Sequence, residues 1–569
     1  MSAFRRRFPG ISTWCFPDVP RADDVLTTLF GGARRPARGP ARRAPRAASG
    51  NPLDGTRPET GCCAACERES PSKRSSWRSV PRRGRPSLLP ASEQERSMET
   101  HEYASCDGVG LSGLIRRGEV SATEVERAAR RALETMNEKI NGLAAPLFTP
   151  ALEHGDGPFA GVPFLIKDIG PMARGVRFFC GSRALGPGVP AGEDHELMSR
   201  FRAAGLVTLG LTTAPELGLN FATEALRYGP TRNPWDLDRG VGGSSGGAAG
   251  LVAAGAVPLA HGNDGAGSLR VPASCCGLVG LKPSRGRTPV GADTGMGLLG
   301  MLSEFALTRT VRDTARLLDA VAGPGLGDAF TAAAPTGRYA EEVTADPGRL
   351  RVAVTTRAWS GAAVDGEVAQ AAVRAAECLA GLGHHVDVAS PVLDWESVVG
   401  AVAAEAVASA APFLLAPRQP PAERLEAVSR VMITAARERR AVDLVAGLNA
   451  AGRVSRAVAR FFTEVDLLVT PTLAGLPAPH GTLDYAEDGH TVESWLRTLF
   501  DHGPFTAVFN IAGLPAISLP LGESTGGLPI GVQLVAAHGR EDLLLRVAGQ
   551  LERALPWAHR TPAVHAGRG

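Results

Sequence analysis

The chain has 569 residues, of which 44% are hydrophobic, with a formal net charge of +3. That suits a globular protein with a large core, and no apolar run is expected to approach the ~20 residues that a membrane span needs. Nine cysteines without regular spacing exclude a disulfide scaffold and lead us to expect a reducing, cytoplasmic setting.

The charge is unevenly spread. Residues 1–97 hold 19 Arg+Lys against 9 Asp+Glu, together with 12 prolines, while the remaining residues hold 42 against 49. The run GGARRPARGPARRAPRAASG has little apolar periodicity and is not expected to fold alone. Three readings compete for it: a disordered basic extension, a targeting peptide, or a start placed too far upstream. RRRFPGISTWCFPDVP lacks the apolar region of a signal peptide. The upstream start is favoured because Met98 directly precedes the first well-patterned segment. Nucleic-acid binding by this stretch has no aromatic or motif support. Cys63 and Cys66 form a CxxC with no partner pair, a poor zinc signal.

From Ser121, SATEVERAARRALETMNEKI predicts a helix. Ser121 and Glu124 form a capping box, and Val125, Ala128, Ala129, Leu133 and Met136 recur at helical spacing. GVPFLIKDIG predicts a buried strand ending in Lys167. HELMSRFRAAG predicts a helix stopped by Gly205, followed by a strand in LVTLGL. Cys275 and Cys276 lie in an apolar run and read as buried filler. VRDTARLLDAVAG is helical, and residues 360–460 are Ala/Arg-rich and helical in pattern, without a motif. VDLLVTPT, PAISLPLG and PIGVQLVA read as strands, and REDLLLRVAGQLERAL as a helix. Strands alternating with helices of this length imply an α/β domain around a mixed sheet.

Three stretches carry chemistry. The first is GVGGSSGGAAG, residues 240–250, with Ser244 and Ser245 framed by glycines; a flexible linker would look similar. The second is Lys167, which reads either as a lysine snorkelling from a strand end or as a desolvated amine able to act as a base. The third is HGNDGAGSLR, where the backbone N–H groups before Ser268 could converge into an anion-binding nest. Gly242–Gly246 formally matches GxSxG, but TRNPWDLDRGV before it is not the hydrophobic strand of a nucleophile elbow. A Ser-His-Asp reading has nothing to single out His490 or His502. There is no P-loop and no HExxH.

Taken together, AGVPFLIKDIG, GPTRNPWD, GGSSGGAAGLVAAGAVPLAHGNDGAGSLRVPASCCGLVGLKPSRGR, LVTPTL, FNIAGLPAISLPLG and GLPIGVQLV resemble the amidase-signature family, especially its cyclic-dimer-hydrolase-like branch. The match covers roughly residues 105–560. The resemblance implies one amidase domain over 98–569, with an α/β fold in which helices cover both faces of a large mixed central sheet. It implies a Ser-cisSer-Lys triad: Lys167 as base, Ser244 as the bridging serine on a cis peptide and Ser268 as nucleophile, with Ser245 hydrogen-bonding within its loop. Gly265, Ala266 and Gly267 would receive the oxyanion. Gly218, in the loop Leu217–Leu219, and the segment near Cys180 would line the acyl pocket. The expected reaction is hydrolysis of a small-molecule amide to a carboxylate and an amine or ammonia. No metal or cofactor, no membrane and no nucleic acid are expected, and relatives lead us to expect a homodimer. The A subunit of a tRNA-dependent amidotransferase and a catalytically silent homologue are the rival readings. Ala266 stands where the family pattern has glycine, and a methyl there would cost about 1 kcal/mol if the position needed positive φ.

Overall fold

The computed structural model describes residues 98–291, 297–417 and 419–568. The basic stretch 1–97, with its Cys63–Cys66 pair, lies outside the described residues. Helix α1 (Ala122–Ile140) forms with its capping box intact: Ser121 Oγ accepts from the Glu124 amide at 3.2 Å and the Glu124 carboxylate accepts from the Ser121 amide at 2.7 Å. The expected stripe Val125, Ala128, Ala129, Leu133 and Met136 is buried, joined by Ala132 and Ile140.

The sheets are built from β1 (Val162–Lys167), β2 (Leu206–Thr212), β3 (Leu259–Asp264), β4 (Val279–Lys282), β5 (Ser303–Thr308), β6 (Arg351–Val354), β7 (His385–Val388), β8 (Leu467–Pro471), β9 (Ala516–Glu523) and β10 (Pro529–Val535). β3 to β10 form an 8-stranded sheet in the order β7-β6-β8-β10-β9-β4-β5-β3. The β7–β6 and β6–β8 neighbours are parallel and the rest antiparallel. β1 and β2 form a parallel pair, running from Val162 beside Leu206 to Lys167 beside Thr212. The Lys167 amide donates to His261 Nδ1 at 3.3 Å, which ties β1 to the edge strand β3.

Helices α2 (Gly246–Ala253), α3 (Arg270–Cys276), α4 (Gly366–Gly381), α5 (Trp395–Ser409), α6 (Ala441–Phe461) and α7 (Ala507–Ile511) complete the frame. A Cβ on Gly531 would lie 2.5 Å from Ser274 of α3, and one on Gly522 would lie 2.6 Å from Ala371 of α4. Gly522 pairs with Ile530, the neighbour of Gly531. Side chains alternate across a strand, so α3 and α4 cover opposite faces of the sheet. Cys275 and Cys276 are buried in α3, as expected of filler.

One expectation fails. Trp395–Leu415, 21 residues with a mean hydropathy of 1.9, is long and apolar enough to cross a membrane by length and composition. In this fold it is half-buried, and α5 packs so tightly on α6 that a Cβ on Gly447 would lie 2.2 Å from that of Ala404. The stretch before the serine pair forms only a short polar strand, Asp236–Gly240, in a two-stranded ribbon outside the large sheet, so it is not the hydrophobic strand of a nucleophile elbow, as expected.

Gly531→Ala should overpack the contact with α3 and cost about 1–3 kcal/mol, lowering the urea midpoint. Gly526→Ala, whose Cβ meets only Ser524 Oγ at 3.8 Å, should leave the midpoint in place.

Candidate active site

The glycines around the serine pair answer to close approach. A Cβ on Gly243 would lie 2.7 Å from the Asn220 carbonyl oxygen, and Cβ atoms on Gly246 and Gly247 would lie 2.2 Å and 2.4 Å from the hydroxyls of Thr223 and Thr213. The stretch is therefore a buried turn into α2 rather than a linker. The Gly243–Ser244 peptide is cis. Ser245 Oγ donates to the Asn263 carbonyl at 3.2 Å and accepts from the Asn263 amide at 3.3 Å. Its bonds thus run across to β3 instead of staying within its own loop.

Lys167 does not snorkel: it is 1% exposed. Its Nζ donates to Ser244 Oγ at 2.7 Å and to Asn263 Oδ1 at 2.6 Å. Burial pulls its pKa from the usual 10.5 to about 7, against the opposing charges of Glu304, Asp264 and Asp168. Asn263 is oriented in turn, its Nδ2 donating to the Ile169 carbonyl at 3.0 Å and to Glu304 Oε1 at 3.3 Å. Because His261 Nδ1 accepts the Lys167 amide, its proton sits on Nε2, which donates to Glu304 Oε2 at 2.6 Å. Burial lowers the His261 pKa, which favours this neutral ring. Sequence reasoning missed Asn263, His261 and Glu304 as supports. The signal available was period two: His261 and Asn263 share a face of β3, and Asn263 pairs with Glu304 across the ladder.

Ser268 is brought beside the pair by its backbone, since the Ser245 amide donates to the Ser268 carbonyl at 3.3 Å. The Ser244 and Ser268 hydroxyls share no hydrogen bond. Among the described residues, the amides of Gly265, Ala266, Gly267 and Ser268 donate to no protein acceptor. Ala266 does not have positive φ, so its methyl brings no strain; its carbonyl accepts from Thr506 Oγ1 at 2.6 Å. Gly267, at φ +149°, could not be replaced as easily, because a Cβ would lie 2.7 Å from Thr506 Oγ1.

The loop stands on a buried polar frame. Asp264 takes Arg270 Nε at 2.9 Å and Nη2 at 2.8 Å, and Asn510 Nδ2 at 2.9 Å. Arg270 Nη1 reaches the Thr506 carbonyl at 2.9 Å and Gln533 Oε1 at 2.8 Å. Burial would raise the Asp264 pKa, but Arg270 holds it down to about 2. Asn510 of FNIAG and Gln533 of GVQLV thus earn their place in the motifs.

Gly218, at φ +73°, lies against the serine: a Cβ there would be 3.6 Å from Ser244 Oγ and 3.2 Å from Ile169 Cδ1. Its own amide is taken by the Pro215 carbonyl at 3.0 Å. The Leu217 amide donates to the Cys180 carbonyl at 2.9 Å, so the two stretches expected at the acyl pocket adjoin. Asp168 secures the second one, accepting from the amides of Phe179 at 2.7 Å and Gly181 at 2.8 Å and from the Tyr228 hydroxyl at 2.8 Å. His490 and His502 hydrogen-bond to neither Ser244 nor Ser268; His490 Nδ1 meets Ser494 Oγ at 3.3 Å.

A buried lysine at the end of β1, set against a serine turn with a run of free amides alongside, is a site equipped for acyl transfer. Residues 122–545 match the Amidase family, and the chain belongs to it. It is 40% identical over 480 residues to 6-aminohexanoate-cyclic-dimer hydrolase of Pseudomonas sp. (strain NK87), covering 80% of this chain and 96% of that one. The solved structure of a 6-aminohexanoate cyclic dimer hydrolase complexed with substrate matches with a TM-score of 0.75 and 38% identity, over 81% of this chain and 99% of that one. The glutamyl-tRNA(Gln) amidotransferase of Thermotoga maritima, through one of its component chains, matches with a TM-score of 0.65 and 26% identity, over 82% and 98%.

Arg270→Leu should leave Asp264 buried without its cation and cost about 3–5 kcal/mol, read as a lower urea midpoint. The stability that Asp264 contributes is present above the ordinary carboxylate range and is lost as pH falls through about 2. Without Arg270 the onset of acid unfolding should therefore move to higher pH.

Proposed function

We propose that this amidase cleaves a small-molecule carboxylic acid amide through an acyl-enzyme on Ser268, with Lys167 as base and Ser244 as relay. The observation that carries this reading is the 2.7 Å contact between Lys167 Nζ and Ser244 Oγ, made by an amine whose pKa lies at about 7. In its neutral form Nζ accepts the Ser244 proton while Ser244 Oγ takes that of Ser268, whose oxygen attacks the amide carbonyl carbon. The amides of Gly265, Ala266, Gly267 and Ser268 face the developing oxyanion. Ser244 then returns a proton to the leaving nitrogen as the C–N bond breaks. Water attacks the ester carbon by the reverse relay, releasing the carboxylate and Ser268. One local movement is required: the Ser244 and Ser268 hydroxyls must close to hydrogen-bond distance, as catalytic contacts do when substrate binds.

The likeness to a hydrolase of the 6-aminohexanoate cyclic dimer supports an aliphatic acyl group, and the aliphatic side chain of Ile169, which meets Gly218 beside Ser244, fits one. The amidotransferase reading rests on the 26% likeness alone. The silent-homologue reading drew on Ala266, and the absence of positive φ there removes its motive.

Ser268→Ala should lower kcat on an amide substrate by at least about 10³-fold, as loss of a nucleophile does. A fluorophosphonate should add its mass to the parent at Ser268 and leave the Ser268→Ala variant unlabelled; labelling that persists would move the nucleophile elsewhere. In the parent, kcat/KM should rise with pH through about 7 as Lys167 loses its proton, then level off. A profile flat from about pH 5 to 9 would refute the role given to Lys167.

A further inference from the structure

Leu298 and Leu299 both stand in the left-handed region, the first at φ 48° and ψ 48°, the second at φ 53° and ψ 28°. Residues other than glycine seldom adopt it, and then singly rather than in succession. Neighbouring groups hold the segment there. The Leu302 amide donates to the Gly297 carbonyl and the Met301 amide to the Leu298 carbonyl, both at 3.1 Å. Arg285 Nε donates to the Gly300 carbonyl at 2.5 Å, and Asn510 Nδ2 to the Met301 carbonyl at 3.2 Å. The same two side chains serve the loop that bears Ser268. Arg285 Nη2 grips the carbonyls of Asn510 at 3.0 Å and Ile511 at 2.7 Å, and Asn510 Nδ2 donates to the Asp264 carbonyl at 2.9 Å. Backbone strain of this kind collects where a side chain has to be placed for a purpose.

The side chain so placed is that of Leu298, whose Cδ1 lies 2.7 Å from where a Cβ on Gly265 would stand. Gly265 opens the run of undonated amides that ends at Ser268. Gly265, Ala266 and Leu298 are half-buried, whereas β3, Gly267 and Ser268 are buried. The loop therefore opens to solvent at the end that Leu298 borders, and Ser268 with the serine turn lies at the other end. A carbonyl held by these amides turns its nitrogen toward Ser244, which protonates it, and leaves its acyl carbon to face the leucine. We infer that Leu298 is a specificity-determining residue, its side chain limiting branching at the acyl carbon next to the scissile carbonyl. Unbranched acyl groups are preferred over α-branched ones for that reason. This rests on the acyl-enzyme reading above and adds a rule for the acyl group to it.

The test compares p-nitrophenyl hexanoate with p-nitrophenyl 2-methylhexanoate on the full chain, so that only the acyl carbon next to the carbonyl differs. In Leu298→Ala the ratio of kcat/KM, branched over unbranched, should rise at least about tenfold over the parent, the worth of ~1.4 kcal/mol. A merely structural role would lower both rates together and leave the ratio in place. Leu298→Met, which keeps the bulk, should hold the ratio within about threefold of the parent. Leu299→Ala, at the other left-handed leucine, should do the same; an equal rise there would assign the effect to the backbone and overturn the inference. Leu298→Gly, suited to positive φ, replaces the alanine variant if that one does not fold. An unchanged ratio beside a fluorophosphonate label on Ser268 would sink the inference alone, as would a labelled parent that hydrolyses neither ester. A parent that hydrolyses neither ester and takes no label would bring down the acyl-enzyme reading, and this one with it.

Discussion

An amine is buried here with no carboxylate in hydrogen-bond contact. Two neutral oxygens, Ser244 Oγ and Asn263 Oδ1, replace its water. A lysine in that setting prefers to be uncharged, and the rest of the site follows from holding it there. β1 delivers Lys167 at its last residue, alongside β3, which supplies both the carboxamide that grips it and the loop that bears Ser268. The carboxylates that could have neutralised the ammonium have other partners: Asp264 is bonded to Arg270, Asp168 to two amides and a tyrosine, and Glu304 to His261. They lie near enough to moderate the shift but not to fix the charge.

This arrangement makes the glycines and the polar core two sides of one problem. The serine turn must approach β3, Thr213 and Thr223 closely, and glycine is what fits. The Gly265–Ser268 loop leaves its amides undonated, and its side chains and carbonyls are tied down instead. Asp264, Thr506 and Asn510 do this through Arg270 and Gln533, all of them buried. A buried network of this kind fixes a unique geometry only when every member is satisfied, as the paired partners of Asp264, Arg270 and Asn510 are.

Much of this was legible in the sequence. The capping box at Ser121, the strand ending in Lys167 and the C-terminal strands all stand where their patterns placed them. So does the cis bond at Ser244, which came from the resemblance. β3 (LAHGND), β4 (VGLK) and β5 (SEFALT) escaped because they are buried yet broken by polar residues or glycine, so they show neither the branched-aliphatic run that marks β1, β2, β8 and β10 nor a period-two contrast. β6 and β7 are short and lie next to or inside a helical stretch. The supports of Lys167 escaped because His261, Asn263 and Glu304 act together only through the β3–β5 ladder, a pairing that no single segment announces. Ala266 looked like a departure with a cost, and only its backbone angle shows that it carries none.

The frame under the Gly265–Ser268 loop has a consequence for how the chain comes to life on the ribosome. Lys167, Ser244 and Ser268 are all made early, yet the carboxamides that brace Arg270 belong to Asn510 and Gln533. A nascent chain therefore holds these three side chains long before it can shape the loop around Ser268. The frame is complete only late in synthesis, so the half-made polypeptide carries Ser268 without the network that holds its loop.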